Sequence, residues 1–335
     1  MKKNLFILTV FILFFNLSSI ANDWVKVRGN KFIDSQGKEI VFKGLCYSDP
    51  GKLHRNGKWN DAYFKEAKNW GANMVRFAVH PATVRQVGWD DYFKLLDEGI
   101  EWAKKNDLYV IMDWHSIGNL KEEKYTNAAY HTTKAETFRF WTEVAERYKN
   151  EPVVALYELF NEPTVTAPEV GTCTWQEWKT LMEALIDAIR VINPNAVCLV
   201  AGFDWAYDLT PVEKNPIDRL NIAYVSHPYP QKREEPWQDK WEKDFGYVAQ
   251  KYPVVCTELG FSLKDEKGAH IPVISDVHYA EQLMKYFEER GISFTIWCFD
   301  PDWAPMLISD WNYNLTTQGR FFKNYLQQSA GLNKK

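Results

Sequence analysis

Residues 155–163 read Ala-Leu-Tyr-Glu-Leu-Phe-Asn-Glu-Pro, an apolar run that ends abruptly in a polar pair and a proline. A short continuous apolar run bounded by a turn signal is the pattern of a buried strand. Proline lacks the N–H that a ladder needs, so the strand stops at Pro163. Asn161 and Glu162 therefore stand at the carboxyl lip of a strand whose body belongs to the core. Side chains alternate along a strand, so these two neighbours reach one site only if the chain bulges or turns, which Pro163 favours. Reading Asn161 as the cap of a following helix leaves the carboxylate at the rim without a role.

The rest of the chain repeats this strand with a helix behind it. Strands are predicted over 40–47, 72–80, 108–115, 153–162, 196–203, 222–229, 253–261 and 293–300. Helices are predicted over 61–70, 90–106, 134–149, 175–192, weakly over 211–219, then over 237–251, 276–290 and 317–328. The strands are rich in Val, Ile and aromatics and alternate little, which is how strands buried on both faces read. Eight such units predict an α/β fold, a (β/α)8 TIM barrel. An open doubly wound sheet would want a Gly-rich first turn, and Gly44-Leu45-Cys46-Tyr47 is not one. Ahead of the barrel, 24–40 reads as a short β-hairpin with turn chemistry at Gly29-Asn30 and Gln36-Gly37. No linker or repeat divides the chain, so 22–335 is expected to be one catalytic domain.

Residues 1–21 carry Lys2 and Lys3, an apolar run from Leu5 to Leu17, and Ser18-Ser19-Ile20-Ala21. That is the layout of a signal peptide cleaved after Ala21. The run falls short of the roughly 20 apolar residues of a membrane span, and no Cys follows it to accept a lipid. The mature protein is expected to be secreted or periplasmic, without a membrane partner. A net charge of −4 gives no basic footprint for nucleic acid. The 15 Trp suggest an aromatic-lined groove. Of five cysteines, Cys46, Cys198, Cys256 and Cys298 fall in apolar runs and only Cys173 in a loop, so no disulfide framework is expected.

In a barrel of this kind chemistry gathers at the carboxyl ends of the strands. Those ends are polar here: Arg76 and His80, Asp113 and His115, Asn161 and Glu162, His227 and Tyr229, Glu258, then Trp297 and Asp300. Alternation puts Arg76 with His80, and Cys256 with Glu258, on common faces. Glu158, on the inward parity of Glu162 but deeper, needs a buried partner within the barrel, Arg76 or a neighbour.

Phe160-Asn161-Glu162-Pro163 and Cys256-Thr257-Glu258-Leu259-Gly260 resemble the motifs of glycoside hydrolase family 5, the cellulase family A of a clan of retaining (β/α)8 glycosidases. Asn73-Met74-Val75-Arg76-Phe77, Asp113-Trp114-His115, His227-Pro228-Tyr229 and Trp297 match its other motifs in order, so the resemblance spans essentially the whole mature chain. It implies Glu162 as acid/base and Glu258 as nucleophile. Arg76 would keep Glu258 ionised, and Tyr229 would orient it. Asn161 would bond the sugar 2-hydroxyl, His115 and His227 would line the site, and Trp297 would be the apolar floor under the sugar. His80 and Asp113 are expected to support the barrel wall. Of Trp59, Trp89, Trp205, Trp237 and Trp303, which fall near the loops of that face, Trp205 and Trp303 are the stronger candidates for outer subsites.

The expected activity is an endo-β-1,4-glucanase acting on a polysaccharide or oligosaccharide without cofactor or metal, as a monomer. A β-mannanase or a mixed-linkage β-glucanase is the alternative within the family. Leu259, where the best-known cellulases have Trp, loosens the substrate assignment. A metal-dependent hydrolase would need His80, His115, His227 and Asp113 to converge, but no His-x-His pair is present. A barrel that binds glycan without cleaving it is disfavoured because both carboxylates are present.

Overall fold

The computed structural model describes residues 23–165 and 168–332. The expected signal peptide, 1–21, lies outside them. Three short strands come first, β1 (Lys26–Arg28), β2 (Lys31–Ile33) and β3 (Glu39–Ile40), forming an antiparallel sheet. The predicted hairpin is thus extended by a third strand, which takes the first residue expected of the barrel. β4 (Lys43–Tyr47), β5 (Met74–Val79) and β6 (Tyr109–Trp114) open the barrel. Two-residue strands β7 (Ile117–Gly118) and β9 (Glu162–Pro163) flank β8 (Val154–Glu158). β10 (Val197–Ala201), β11 (Ile222–Val225), β12 (Val254–Cys256) and β13 (Ser293–Ile296) complete it. The barrel closes in the order β10-β11-β12-β13-β4-β5-β6-β8, every pairing parallel.

Two apolar layers hold it. The strands' outward residues, among them Tyr47, Phe77, Trp114 and Tyr157, pack against the helices. Inside, Met74, Ile111, Leu156, Val197, Leu199, Val225 and Val255 fill the lower barrel, with Phe32 and Phe42 from the N-terminal region packed against them. The helix Trp175–Ile192 shows how the sequence sets the outer layer. Thr174 and Glu177 form a reciprocal capping box at its start, and its buried side includes Trp178, Met182, Leu185, Ile186 and Ile189.

Several predicted elements differ in extent. The helix expected over 237–251 is Gln238–Asp244 followed by a tight 3-10 turn, Gly246–Gln250. A Cβ at Gly246 would run into the Tyr286 hydroxyl, so the chain bends where only glycine fits. The weak helix near 211–219 is a 3-10 turn, Thr210–Glu213. Helices Pro50–Arg55 and Pro81–Val87 were not expected; each begins with a proline in its first turn, where the missing N–H does no harm. All five cysteines are buried and unbridged, Cys173 included. Cys256 packs in the outer layer while Glu258 lies in the mouth, because the ladder ends at Cys256 and alternation ends with it.

Candidate active site

Arg76 is fully buried on β5 and organises the mouth of the barrel. Its Nε donates to Glu158 Oε2 at 2.6 Å and its Nη2 to Glu158 Oε1 at 3.0 Å. Nη2 also donates to Asn161 Oδ1 at 2.7 Å and lies 3.0 Å from Asp113 Oδ2, while Nη1 donates to Glu258 Oε1 at 3.0 Å. One guanidinium therefore serves carboxylates from three strands, and the planar fork suits that task better than a lysine. Glu158 has the partner its burial demanded.

The lip of β8 is built by a break in the ladder. β8 ends at Glu158, Leu159 and Phe160 turn out to the helix layer, and the chain pairs again as β9 against β7. Asn161 N–H donates to Trp114 O at 3.2 Å and Glu162 N–H to Ser116 O at 3.0 Å. That detour brings both Asn161 and Glu162 to the mouth, as their adjacency required. Asn161 gives its oxygen to Arg76, leaving Nδ2 buried with no partner among the described residues. A donor kept so is available to a ligand.

Glu162 and Glu258 approach each other across this space. One oxygen of each and a ring nitrogen of His227 all lie within 4.8 Å of one another. Their surroundings differ. Glu258 accepts from Arg76 and, at 2.8 Å, from the Tyr229 hydroxyl. Among the described residues Glu162 has a single side-chain hydrogen-bond partner, His227 Nδ1 at 2.9 Å from Oε1. Burial pushes both carboxyls up to about 7; for Glu258, His227 and Arg76 pull against it, and for Glu162, Lys232 and Arg76 do. Asp113 is likewise raised to about 7 by burial. Burial acts oppositely on imidazoles, holding His227 at about 4, His80 at about 3 and His115 well below its ordinary value, so all three are neutral at pH 7.

Asn161, Glu162 and Glu258 face a cavity of about 590 Å³ whose wall includes His115, Tyr130, Tyr229, Trp205 and Trp297. His227, expected to line the site, is instead fully buried behind it, with its two ring nitrogens on Glu162 and Thr257. The Trp297 ring lies nearly parallel to His115, 5.3 Å away, and to Trp303, 5.8 Å away. Trp303 borders an adjoining hollow of about 530 Å³ that shares His115, Tyr130 and Trp297 with the first. Trp205 thus borders the cavity that holds the carboxyl pair, and Trp303 the adjoining hollow. Trp205 belongs to a left-handed stretch, with Asp204, Trp205 and Ala206 at φ of 55°, 55° and 59°. Lys232 Nζ fastens it by donating to Asp204 O at 2.7 Å and lies 4.8 Å over the Trp205 ring. The other candidate tryptophans are packing. Trp59 is buried with its Nε1 on Leu95 O, Trp237 stacks on Trp241, and Trp89 lies under the Arg139 guanidinium.

Asp113 meets both Arg76 and His115 Nδ1, the latter at 2.7 Å, and so supports the wall. The His80 ring packs against His115 and Trp303, and its backbone N–H donates to Asp49. Asp300 is held by Lys52 and Ser48. Leu259 is buried, its carbonyl accepting from Trp297 N–H. The four residues of the metal-hydrolase alternative are not gathered into a ligand set; among the described residues the one group close enough is Glu162, His227 and Glu258. Sequence reasoning passed over Tyr130, Lys232, Thr257 and the loop from His270 to Val273, all of which border the carboxyls or the cavity.

The family model for cellulase (glycosyl hydrolase family 5) matches residues 33–302, and the chain belongs to that family. It is 31% identical to Endoglucanase A of Butyrivibrio fibrisolvens over 61% of this chain and 44% of that protein. It is 24% identical to an endoglucanase of Paenibacillus polymyxa over 93% of this chain and 91% of that protein. It thus spans under half of the first relative and nearly all of the second. The crystal structure of a β-glucanase from Saccharophagus degradans superimposes with a TM-score of 0.91 at 45% identity, covering 92% of this chain and 94% of that one. The same enzyme in complex with cellotetraose matches with the same TM-score at 44% identity. The chain is an O-glycosyl hydrolase of the endo-β-1,4-glucanase-like kind.

Proposed function

We propose that this family 5 hydrolase cleaves β-1,4-linked glucan internally by double displacement, with Glu258 as nucleophile and Glu162 as acid/base. The observation that carries the reading is the carboxyl pair, with oxygens within 4.8 Å and unequal partners. Retaining glycosidases need carboxyl groups about 5–5.5 Å apart, whereas inverting ones leave room for a water at about 6.5–9.5 Å. Two donors favour the ionised form of Glu258, the form that attacks the anomeric carbon. Glu162 first gives its proton to the departing glycosidic oxygen. It then takes one from the water that releases the sugar from Glu258.

Asn161 Nδ2 suits the 2-hydroxyl, a contact that strengthens as positive charge develops on the sugar ring. Tyr229 orients the nucleophile. Trp297 offers an apolar face to the sugar with His115 beside it, and His227 acts from behind Glu162. Trp205 in the carboxyl cavity and Trp303 in the adjoining hollow add aromatic surface beyond one sugar site, which favours a groove and attack within a chain. We further propose that residues 22–335 act as one exported, monomeric catalytic domain after cleavage at Ala21. Mixed-linkage β-glucan is the second reading, because the solved relative at 45% identity is called a β-glucanase.

The test is reducing-sugar release on carboxymethyl cellulose, barley β-glucan, glucomannan, galactomannan, xyloglucan and xylan, with Glu258→Ala beside the wild type. The expected result is release from the first or second substrate, with a loss on the order of 10⁴-fold or more in the variant. Activity that survives Glu258→Ala would remove the nucleophile assignment. A preference for galactomannan would move the enzyme to the mannanases.

A further inference from the structure

The reading of Glu162 as the acid requires that its carboxyl hold a proton before reaction, and a line of hydrogen bonds behind it bears on that. Glu158 receives Arg76 on both oxygens, at 2.6 and 3.0 Å, the arrangement of a carboxylate. Thr257 Oγ lies 2.7 Å from Glu158 Oε1 and 2.9 Å from His227 Nε2. A threonine hydroxyl has one hydrogen. Given to the Glu158 carboxylate, it leaves Oγ as an acceptor toward His227, so Nε2 must carry the ring proton. His227 is fully buried and neutral, so Nδ1 is then a bare acceptor. The group facing that acceptor, 2.9 Å away, is Glu162 Oε1. Only a protonated carboxyl makes a hydrogen bond there.

We propose that Thr257 and Glu158 are positioning residues that fix His227 in its Nε2–H tautomer and thereby hold Glu162 as the protonated acid. The inference rests on the acid/base reading above and deepens it. When Glu162 has given its proton to the leaving oxygen, its carboxylate faces the lone pair of Nδ1. That repulsion favours recovery of a proton from the incoming water in the second step. The imidazole keeps its own proton throughout, and the line from Arg76 to Nε2 is left unchanged.

Other charges act on Glu162 too. Arg76 and Lys232 favour its ionised form, while Glu158 and Asp204 oppose it. Glu258 lies across the mouth from it and 4.0 Å from His227 Nδ1. Tyr130 and Asp113 feel the Glu162 charge in turn. None of these is removed by Thr257→Val, which keeps the side chain's shape and deletes the hydroxyl, so comparison with wild type isolates the line.

Without the hydroxyl, Nε2 loses its acceptor, His227 can turn its proton to Nδ1, and a donor to Glu162 stabilises the carboxylate. The expected result is an alkaline limb of kcat/KM displaced to lower pH by about one unit. A loss of roughly 10–100-fold on cello-oligosaccharides goes with it, at or below the lower end of what general acid catalysis contributes, because the acid is weakened rather than removed. On 2,4-dinitrophenyl β-cellobioside, whose leaving group needs no proton, kcat/KM is expected to change little. Thr257→Ser restores both readouts. An unmoved limb with equal losses on the two substrates would mean a merely structural threonine and would overturn the proposal. Should the variant not fold, nitrogen-15 spectra of histidine-labelled wild type decide: an Nδ1–H signal for His227 overturns the proposal, and an Nε2–H signal supports it. Full activity in Glu162→Ala on the oligosaccharides would instead sink the acid assignment, which is a separate result.

Discussion

The lower and upper halves of the barrel interior are equally buried and chemically opposite. Below, Met74, Ile111, Leu156, Val197, Leu199, Val225 and Val255 form an apolar filling with no polar group to satisfy. Above, the inward side chains are Arg76, Asp113, Glu158, Thr257 and His227, each nearly inaccessible to water. The change occurs within single strands: Met74 and Arg76 are two residues apart on β5, and Ile111 and Asp113 on β6. Burying apolar area contributes about 25 cal/mol per Å², whereas a buried charge must find a partner. Four carboxyls, Asp113, Glu158, Glu162 and Glu258, share one guanidinium in the upper half. The lower half holds the barrel together and the upper half strains that stability for the sake of the site.

Removing the shared cation should break the balance most severely. Arg76→Met leaves buried carboxylates without a counter-charge, and breaking a buried pair from one side is expected to lower stability by about 3–5 kcal/mol. Urea unfolding at pH 8 measures it. The loss should shrink at pH 5, where carboxyls raised to about 7 take up protons instead. Stability equal to wild type at pH 8 would mean that the upper half does not depend on Arg76.

Leu156→Ala probes the other half. Leu156 is fully buried on β8, level with Val197 and Ile111. The substitution is expected to cost about 3 kcal/mol through lost burial and the cavity left behind. Arg76→Met should change with pH and Leu156→Ala should not, while kcat of the folded Leu156→Ala enzyme stays near wild type. Leu156→Ala that abolished kcat in folded protein would show that the two halves are not separable.

This division also explains what was legible in the sequence. The lower half and the helix layer are periodic, so the eight units and the helix Trp175–Ile192 could be read directly. Glu162 and Arg76 were legible because a charge at the end of an apolar strand is conspicuous. Failures came where periodicity stops. The face of Cys256 was misjudged because β12 is only three residues long and alternation does not carry past it to Glu258. Helices Pro50–Arg55 and Pro81–Val87 are too short to show an apolar stripe, although proline in the first turn was a usable signal. Trp59 and Trp237 were placed near the groove because position in a loop does not reveal which way a ring turns. Thr257 was missed because a threonine in a strand is ordinary; only its distances to Glu158 and His227 give it a function.

The finest test of the contrast is the pH dependence of stability, read as a difference between Glu162→Gln and wild type. Glu162 sits at about 7 in the folded protein against an ordinary value near 4.5. A raised carboxyl contributes stability that is present below pH 4.5 and lost as pH climbs through 7, because the folded state binds the proton more tightly than the unfolded chain. The buried histidines run the other way. His227 at about 4 and His80 at about 3 contribute stability above pH 6.5 that is lost as pH falls. The two families of groups overlap between pH 4.5 and 6.5, so the wild-type profile alone is nearly flat and uninformative. Glutamine cannot ionise, so Glu162→Gln removes one raised carboxyl and relieves Glu258 of a neighbouring negative charge, which acts in the same direction. The variant should therefore gain on wild type as pH rises from 4.5, by on the order of 2–3 kcal/mol at pH 8. Thermal melts in matched buffers would show it as several degrees. A difference that stays flat with pH would mean that Glu162 ionises in place without strain, and the opposition between the two halves would then rest on Arg76 and its three other carboxylates alone.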